Sequence, residues 1–298
     1  MEKITHQNCP VCLNNNINPA FAVKDFTVTN EEFVIFNCNN CTARFTQNIP
    51  SQNSIGNYYK SNNYISHSDT KEGLISKLYH TVRNITLKSK RNLINKFTEN
   101  KKGKLLDIGA GTGAFAFTMQ QNGWQITALE PDETAVEVAL TKHQLVLQPL
   151  ENFYQLPQSQ YQAITLWHVL EHVHELQAYF KKFTEILATN GTLFIAVPNY
   201  TSFDADWFKE YWAAYDVPRH LYHFSPSSMQ HLAEMHGFKI IQQKRMWFDS
   251  FYVSMLSTQY QSKKINYLIA AFVGICSSIA SIFHKEKCSS LIYILQKK

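Results

Sequence analysis

The sequence predicts an α/β fold: a doubly wound, mostly parallel sheet of seven strands, with a small cysteine-bearing segment ahead of it and an apolar helical insertion between strands six and seven. Three observations carry this reading. The run Lys104-Leu105-Leu106-Asp107-Ile108-Gly109-Ala110-Gly111-Thr112-Gly113 reads as a buried strand that ends in an acid and enters a glycine-rich turn. Beyond it, apolar runs alternate with helix-period runs, which is the pattern of βαβ units. Ahead of it stand two C-x-x-C pairs, Cys9/Cys12 and Cys38/Cys41.

Composition sets the bounds. With 298 residues, 45% of them hydrophobic, the chain suits one large domain and a small appendage. Its 28 Lys and Arg against 23 Asp and Glu leave a net charge of +5, too mild to argue for nucleic acid. The first residues carry no apolar run of the kind a signal peptide needs, so a cytoplasmic location is expected.

The organisation reads as follows. Residues 1–50 form the cysteine segment, with Phe33-Val34-Ile35-Phe36 as a strand leading to the second pair. In a reducing compartment, four thiolates on two tight turns match a tetrahedral structural zinc site on Cys9, Cys12, Cys38 and Cys41. They leave no open position for a catalytic water. Residues 51–72 read as a polar linker with Tyr58, Tyr59 and Tyr64. Residues 73–298 form the α/β domain. A helix over 73–98 comes first, and its Lys77, Arg83, Lys88, Lys90, Arg91 and Lys96 read as a solvated face.

The glycine turn follows, with a helix at residues 114–120 and a ligand expected at its N-terminus. The second strand, Trp124 to Leu129, ends at Glu130, placed to bind both hydroxyls of a ribose. That much would suit NAD. Asp107 argues otherwise, because a carboxylate beside the glycines repels a pyrophosphate and suits a cation. Helix 131–142 and a third strand, Leu145-Val146-Leu147, precede Leu150-Glu151-Asn152. Tyr161 to Leu166 is the fourth strand.

The next segment, Trp167-His168-Val169-Leu170-Glu171-His172, has two readings. It lies just past strand four, where such folds line a ligand pocket. It also fits H-x-x-E-H, the inverted zinc-peptidase motif, although that motif would then begin at a strand end inside a sheet. A helix to about residue 188 stops at Asn190-Gly191, and strand five runs from Thr192 to Val197. Residues 200–228 are an aromatic insert ending in Pro218-Arg219-His220-Leu221-Tyr222-His223, with Ser225 as N-cap of a helix opened by Pro226. Phe238-Lys239-Ile240-Ile241 begins strand six, and Ser289 to Leu295 is strand seven.

Between those two strands lies the insertion, about 255–287. Its core, residues 265–283, has two apolar stripes and lysines at both ends. A packed helical hairpin is expected, with the second stripe, Ile265, Ile269, Val273 and Cys276, meeting a membrane surface, a second subunit or other residues of the hairpin.

The Asp-x-Gly-x-Gly-x-Gly spacing resembles the first motif of the class I, Rossmann-like S-adenosylmethionine-dependent methyltransferases, over roughly residues 75–298. The resemblance implies methyl transfer, with S-adenosylmethionine as donor held by Asp107, Gly109, Ala110, Gly111, Gly113, Glu130, Pro131, Glu151, Leu166, Trp167 and His168. His168, His220 and His223 are candidate proton acceptors, since a histidine near its reference pKa of about 6.5 takes a proton at neutral pH. The strand-four segment looks like quinone-pathway O-methyltransferases, and the cysteine pairs resemble sugar C-methyltransferases and some rRNA methyltransferases. A small aromatic, quinone-like, lipid-like or sugar acceptor is therefore expected. The alternatives are a non-enzymatic S-adenosylmethionine-binding module and an rRNA or tRNA methyltransferase.

Overall fold

A computed structural model describes residues 2–59 and 74–298, with the side chains of 74–80 excluded. Of the expected linker, residues 60–72, Tyr64 among them, lie outside the described residues.

The N-terminal part holds β1 (Lys3–Ile4), β2 (Ile17–Lys24), β3 (Glu32–Cys38), β4 (Arg44–Thr46) and β5 (Ile49–Pro50). Then come α1 (Leu74–Phe97), β6 (Lys104–Ile108), α2 (Ala114–Gln120), β7 (Gln125–Leu129), α3 (Glu133–His143) and β8 (Tyr161–Trp167). α4 (Leu176–Ile186), β9 (Leu187–Pro198), α5 (Phe203–Phe208), β10 (Tyr222–His223), α6 (Pro226–Met235) and β11 (Phe238–Arg245) follow. α7 (Asp249–Ser262), α8 (Tyr267–Phe283) and β12 (Ser290–Lys297) complete the chain. The main sheet is six-stranded and largely parallel, in the order β11-β12-β9-β8-β6-β7. The expected third strand does not form; only an isolated parallel bridge between Leu129 and Gln148 remains of it. Leu145 and Leu147 are buried in a cluster with Ala116, Ala128 and Ala139 while Val146 is 75% exposed, so only one face of this run is covered.

Two compact units divide the described residues. One is drawn from Ile65–Trp167, Lys181–Ile195 and Ile294–Lys298. Here Leu105, Phe115, Met119, Trp124, Ala163, Phe194 and Ile294 make a core cluster. Leu105, Leu106 and Ile108 of β6 are fully buried, as a strand covered on both faces requires. Asp132 caps α3 by accepting from the Ala135 amide at 2.8 Å. The expected helix stop at Asn190-Gly191 is a correction: α4 ends at Ile186, and β9 runs straight through both residues. Gly191 is needed for space, since a Cβ there would lie 2.8 Å from the Tyr161 carbonyl oxygen and from Leu187.

The other unit is drawn from Met1–Tyr64, His168–Phe180 and Ala196–Tyr293. Its four-stranded sheet runs β10-β4-β3-β2, so Tyr222 and His223 of the aromatic insert pair with Phe45 and Arg44 of the cysteine segment. One core cluster joins Val23, Phe33 and Ile35 to Phe208, Trp212, Tyr215, Val217 and Val273. Within this unit the cysteine segment thus shares both sheet and core with the insert. The helical insertion starts earlier than expected, at Asp249, and is a pair of helices, α7 and α8. α8 packs through its small residues Ala270, Gly274, Ser277 and Ser281, and the stripe Leu268, Phe272, Ile275, Ile279 and Ile282 is exposed.

Candidate functional site

The glycine loop hangs from the carboxyl ends of adjacent parallel strands. Asp107 stands in register with Ala128 of β7 and with Thr165 of β8. It is 1% exposed, and the Thr165 hydroxyl donates to its Oδ1 at 2.7 Å. Burial pushes its carboxyl up to about 7, although the Thr165 bond and the Lys90 charge oppose that rise. Gly109, Gly111 and Gly113 all have left-handed backbone, at φ 66, 53 and 74. Gly113 also needs its missing Cβ, which would meet Ala139 at 3.0 Å, whereas a Cβ on Gly111 would enter open space.

Glu130 is 8% exposed, and backbone amides hold both its oxygens: Gly111 N–H donates to Oε2 at 2.7 Å and Asp132 N–H to Oε1 at 3.0 Å. The carboxylate is therefore aimed by the loop it supports. Ala110 donates its N–H to the Leu129 carbonyl at 3.0 Å, and Pro131 leads into the Asp132 cap. α2 covers the seven residues expected, Ala114–Gln120, and begins directly after Gly113.

Leu166 is fully buried, and Trp167 stacks edge-on against Phe115 with centroids 5.3 Å apart. The buried Trp167 Nε1 has no hydrogen-bond partner among the described residues. Glu151 is exposed, on a short 3-10 turn over Leu150–Gln155. Two basic residues of α1, read as solvated from sequence, engage this unit instead: Arg83 donates to Thr112 Oγ1 at 3.3 Å, and the Lys90 ammonium sits 4.2 Å over the Trp167 ring. Helical period alone separates no such contact from a solvated face. Thr165 was also missed, although its place at the end of a strand neighbouring Asp107 was a usable signal.

Two inward carboxylates, open space at a glycine and an unpartnered indole N–H suit a ligand that carries a cation and a diol and lacks phosphate. S-adenosylmethionine fits that description; Asp107 and Glu130 would hold its cation and ribose.

The three candidate base histidines belong to the other unit, and each sits differently. His168 has left-handed backbone at φ 58; its Nε2 lies 3.1 Å from Asp249 Oδ2 and its Nδ1 3.4 Å from Glu171 Oε1. Burial alone would lower its pKa, but the Asp249 and Glu171 carboxylates outweigh that and push it up to about 9. It is an imidazolium at neutral pH and cannot accept a proton there. His223 is buried in β10, with Nε2 3.2 Å from Thr46 Oγ1 and its ring edge-on to Tyr215. Burial, then the His220 and Arg44 charges, hold its pKa well below the ordinary value, so it stays a neutral part of the sheet. His220 is 9% exposed and donates its Nδ1–H to the Ala214 carbonyl at 2.8 Å. It faces His172, ring centroids 4.6 Å apart.

The H-x-x-E-H segment is a three-residue 3-10 turn over Leu170–His172, so His168 and His172 are not paired along an α-helix as the peptidase motif requires.

The four cysteines do converge. Cys9 and Cys41 sulfurs are 3.7 Å apart, Cys12 and Cys38 sulfurs 3.5 Å, and all four lie within 4.8 Å. A tetrahedral ion with Zn–S bonds of about 2.3 Å sets S···S edges of about 3.8 Å, so the donor set fits zinc. Both pairs close alike: Leu13 N–H bonds Cys9 O at 2.8 Å and Thr42 N–H bonds Cys38 O at 3.0 Å, and Leu13 and Thr42 share φ 62.

Comparison with known proteins agrees with this geometry. A stretch of 103 residues is 27% identical to the ubiquinone biosynthesis O-methyltransferases of Yersinia pestis and Yersinia pseudotuberculosis, covering 32% of this chain and 43% of theirs. The matched stretch thus spans less than half the length of those curated relatives. Among solved structures, a SAM-dependent methyltransferase from Archaeoglobus fulgidus superposes with a TM-score of 0.50 at 16% identity, over 72% of this chain and 94% of its own. Magnesium protoporphyrin IX methyltransferase from Synechocystis PCC 6803, with bound SAH, gives 0.50 at 14% identity, over 78% and 91%. The family described as "Methyltransferase domain" matches residues 82–243, more than half of the chain. With its Asp-x-Gly-x-Gly-x-Gly loop, its acid after the second strand and this match, the chain belongs to the methyltransferase-domain family.

Proposed function

We propose that this enzyme transfers a methyl group from S-adenosylmethionine to a hydroxyl of a small, apolar, ring-bearing acceptor of the quinone-precursor kind. The observation that carries the donor is the paired carboxylates: Asp107 for the cationic end and Glu130, aimed by two backbone amides, for the ribose. The likeness to the Yersinia O-methyltransferases and the exposed apolar residues of α8 support the acceptor class.

When bound, the donor supplies an electrophilic methyl on sulfur. The protein's own work is positioning, which supplies about 7–11 kcal/mol in well-aligned systems. Asp107 and Glu130 orient the donor, and Trp167 forms an apolar wall. A base adds roughly 10²–10⁴-fold where the acceptor must lose a proton. His168 and His223 are tied up as described.

Calorimetry with S-adenosylmethionine, S-adenosylhomocysteine and NAD tests the donor: the first two bind and NAD does not. Transfer of labelled methyl to catechol and polyprenyl-phenol acceptors, beside a sugar nucleotide and total RNA, tests the acceptor. Label on RNA or sugar alone would refute the acceptor reading and leave the donor reading standing.

The second part of the proposal is one structural zinc on Cys9, Cys12, Cys38 and Cys41. Metal analysis of the purified chain should find it, and Cys38→Ser should remove it. Retention of that zinc in Cys38→Ser would refute the four-thiolate assignment.

A further inference from the structure

Glu171 is completely buried; its carboxylate makes no hydrogen bond of good geometry among the described residues, and the ion pair with His168 Nδ1, 3.4 Å from Oε1, engages only one of its two oxygens. Such a group is costly unless something else satisfies it. Around it stand His172 and His220, and one ligand atom from each of the three lies within 4.8 Å of the other two. The tautomers are fixed by backbone. His172 Nδ1 is 3.0 Å from the Arg219 carbonyl and 3.0 Å from the Tyr59 hydroxyl, whose oxygen can accept as well, and His220 Nδ1 is 2.8 Å from the Ala214 carbonyl. A carbonyl only accepts, so both Nδ1 atoms carry the proton and both Nε2 atoms keep a lone pair. A carbonyl-held ring N–H is also the usual support of a metal-ligating histidine. Asp216 Oδ2, 3.8 Å from His220 Nε2, borders the cluster but is bound to Arg219.

From these contacts we propose that Glu171, His172 and His220 form a binding site for one first-row divalent metal ion, in addition to the four-cysteine site. Two imidazoles and one carboxylate suit Mn²⁺, Fe²⁺, Co²⁺ or Zn²⁺ better than Mg²⁺ or Ca²⁺. Bonds of about 2.0–2.2 Å set ligand atoms about 3–3.5 Å apart, so the three groups, which lie within 4.8 Å of one another, must draw together around the ion. Three protein ligands leave coordination positions open to an oxygen ligand. The site takes one histidine of H-x-x-E-H and replaces the other by His220 from the aromatic insert; His168 is turned to Asp249.

The test is a metal inventory of the full chain. The purified protein is dialysed against a weak chelator, its retained zinc is counted, and it is titrated with Mn²⁺, which thiolates bind poorly. Two metal ions per chain are expected. Glu171→Gln and His220→Gln should each lose one, or bind Mn²⁺ at least tenfold more weakly, while His231→Asn on the exposed face of α6 matches wild type. Pulsed electron paramagnetic resonance of the Mn²⁺-loaded wild type should show two imidazole nitrogen couplings, which holds even if a variant fails to fold. A single ion per chain that disappears with Cys38→Ser, Mn²⁺ binding that survives both substitutions in folded protein, or a spectrum without nitrogen couplings would overturn the site.

A different observation carries a second inference. α8 exposes Leu268 by 84%, Phe272 by 55%, Ile275 by 51% and Phe283 by 77%. Trp207, half exposed, packs edge-on against Phe272, and Arg245 reaches the Ile282 carbonyl while lying over Trp247. Lys263 and Lys264 precede the helix and Lys285 follows it. Among the described residues no helix is long and apolar enough to cross a membrane. We infer that this face lies on an anionic phospholipid surface. An apolar band with aromatic and basic neighbours suits the headgroup boundary. A second copy across a two-fold axis would set lysine-bearing helix ends against each other. The full chain should cosediment with phosphatidylglycerol vesicles at low salt, less at high salt, and little with phosphatidylcholine. Leu268→Glu with Ile275→Glu should cut partitioning at least tenfold with the fold intact. Absence of folded wild type from anionic vesicles, or a dimer by light scattering that the same double variant splits, would overturn the inference.

Discussion

The Thr165 hydroxyl donates to Asp107 Oδ1 at 2.7 Å, across two strands in register. This bond, with the Lys90 charge, keeps a carboxyl that burial pushes up at about 7 rather than higher. A cationic donor binds the ionised form, so donor affinity should rise with pH up to about 7 and fall below it by roughly tenfold per unit at most. Asp107→Asn should flatten the profile and Thr165→Val should move its midpoint upward. Calorimetry across pH checks both. The folding linkage has the opposite sign: the folded state holds this proton more tightly than the unfolded chain, whose value is 3.8, so this group's contribution to stability declines as pH climbs from there to about 7.

Glu130 accepts from the Gly111 and Asp132 amides and, in the proposed function, would also bind the donor's ribose. Glu130→Ala should weaken S-adenosylmethionine by about 1.5–3 kcal/mol, the scale of hydrogen bonds to a charged group. It also frees the Gly111 and Asp132 amides, so their hydrogen exchange should accelerate in the same variant. Unchanged affinity would remove Glu130 from the ribose.

Arg219 is 1% exposed and joins the cysteine segment to the aromatic insert. It bonds Asp216, donates to the Tyr58 carbonyl at 2.7 Å and lies 3.8 Å from Asp25. Arg219→Met would strip the half-buried Asp216 of its ion pair, while Asp25 keeps the bonds it accepts from Thr27, Val28 and Thr29, and a loss of about 3 kcal/mol is expected by denaturant unfolding. A loss under about 1 kcal/mol would mean water replaces the guanidinium.

Gly274 lets α7 and α8 touch. A Cβ there would sit 2.6 Å from Phe251 Cδ1, and Ser250 donates to the Gly274 carbonyl. Gly274→Ala should destabilise by about 1–3 kcal/mol, the cost of overpacking. Gly274→Ala with Phe251→Leu should recover part of it in thermal melts.

By itself the sequence determined whatever is written in short range. The glycine loop, Asp107, Glu130, the two cysteine pairs, the Ser225 cap and the strand–helix alternation all rest on neighbours within a few positions, and caps and periods are local physics. Where local signals competed, tertiary structure decided. Leu145-Val146-Leu147 had the composition of a strand but no second covered face, and Asn190-Gly191 had the composition of a helix stop but lay where β9 needed a residue without Cβ. α8 buried Val273 together with its small residues, Gly274 closely against Phe251, and left Leu268, Phe272, Ile275, Ile279 and Ile282 outside. Chemistry followed the same rule. His168, His220 and His223 look alike in sequence. Only the fold gives the first two carboxylates, the second a place beside Glu171 and His172, and the third a sheet partner in Thr46. A histidine's charge depends on burial and on partners remote in the chain, and no local pattern encodes those.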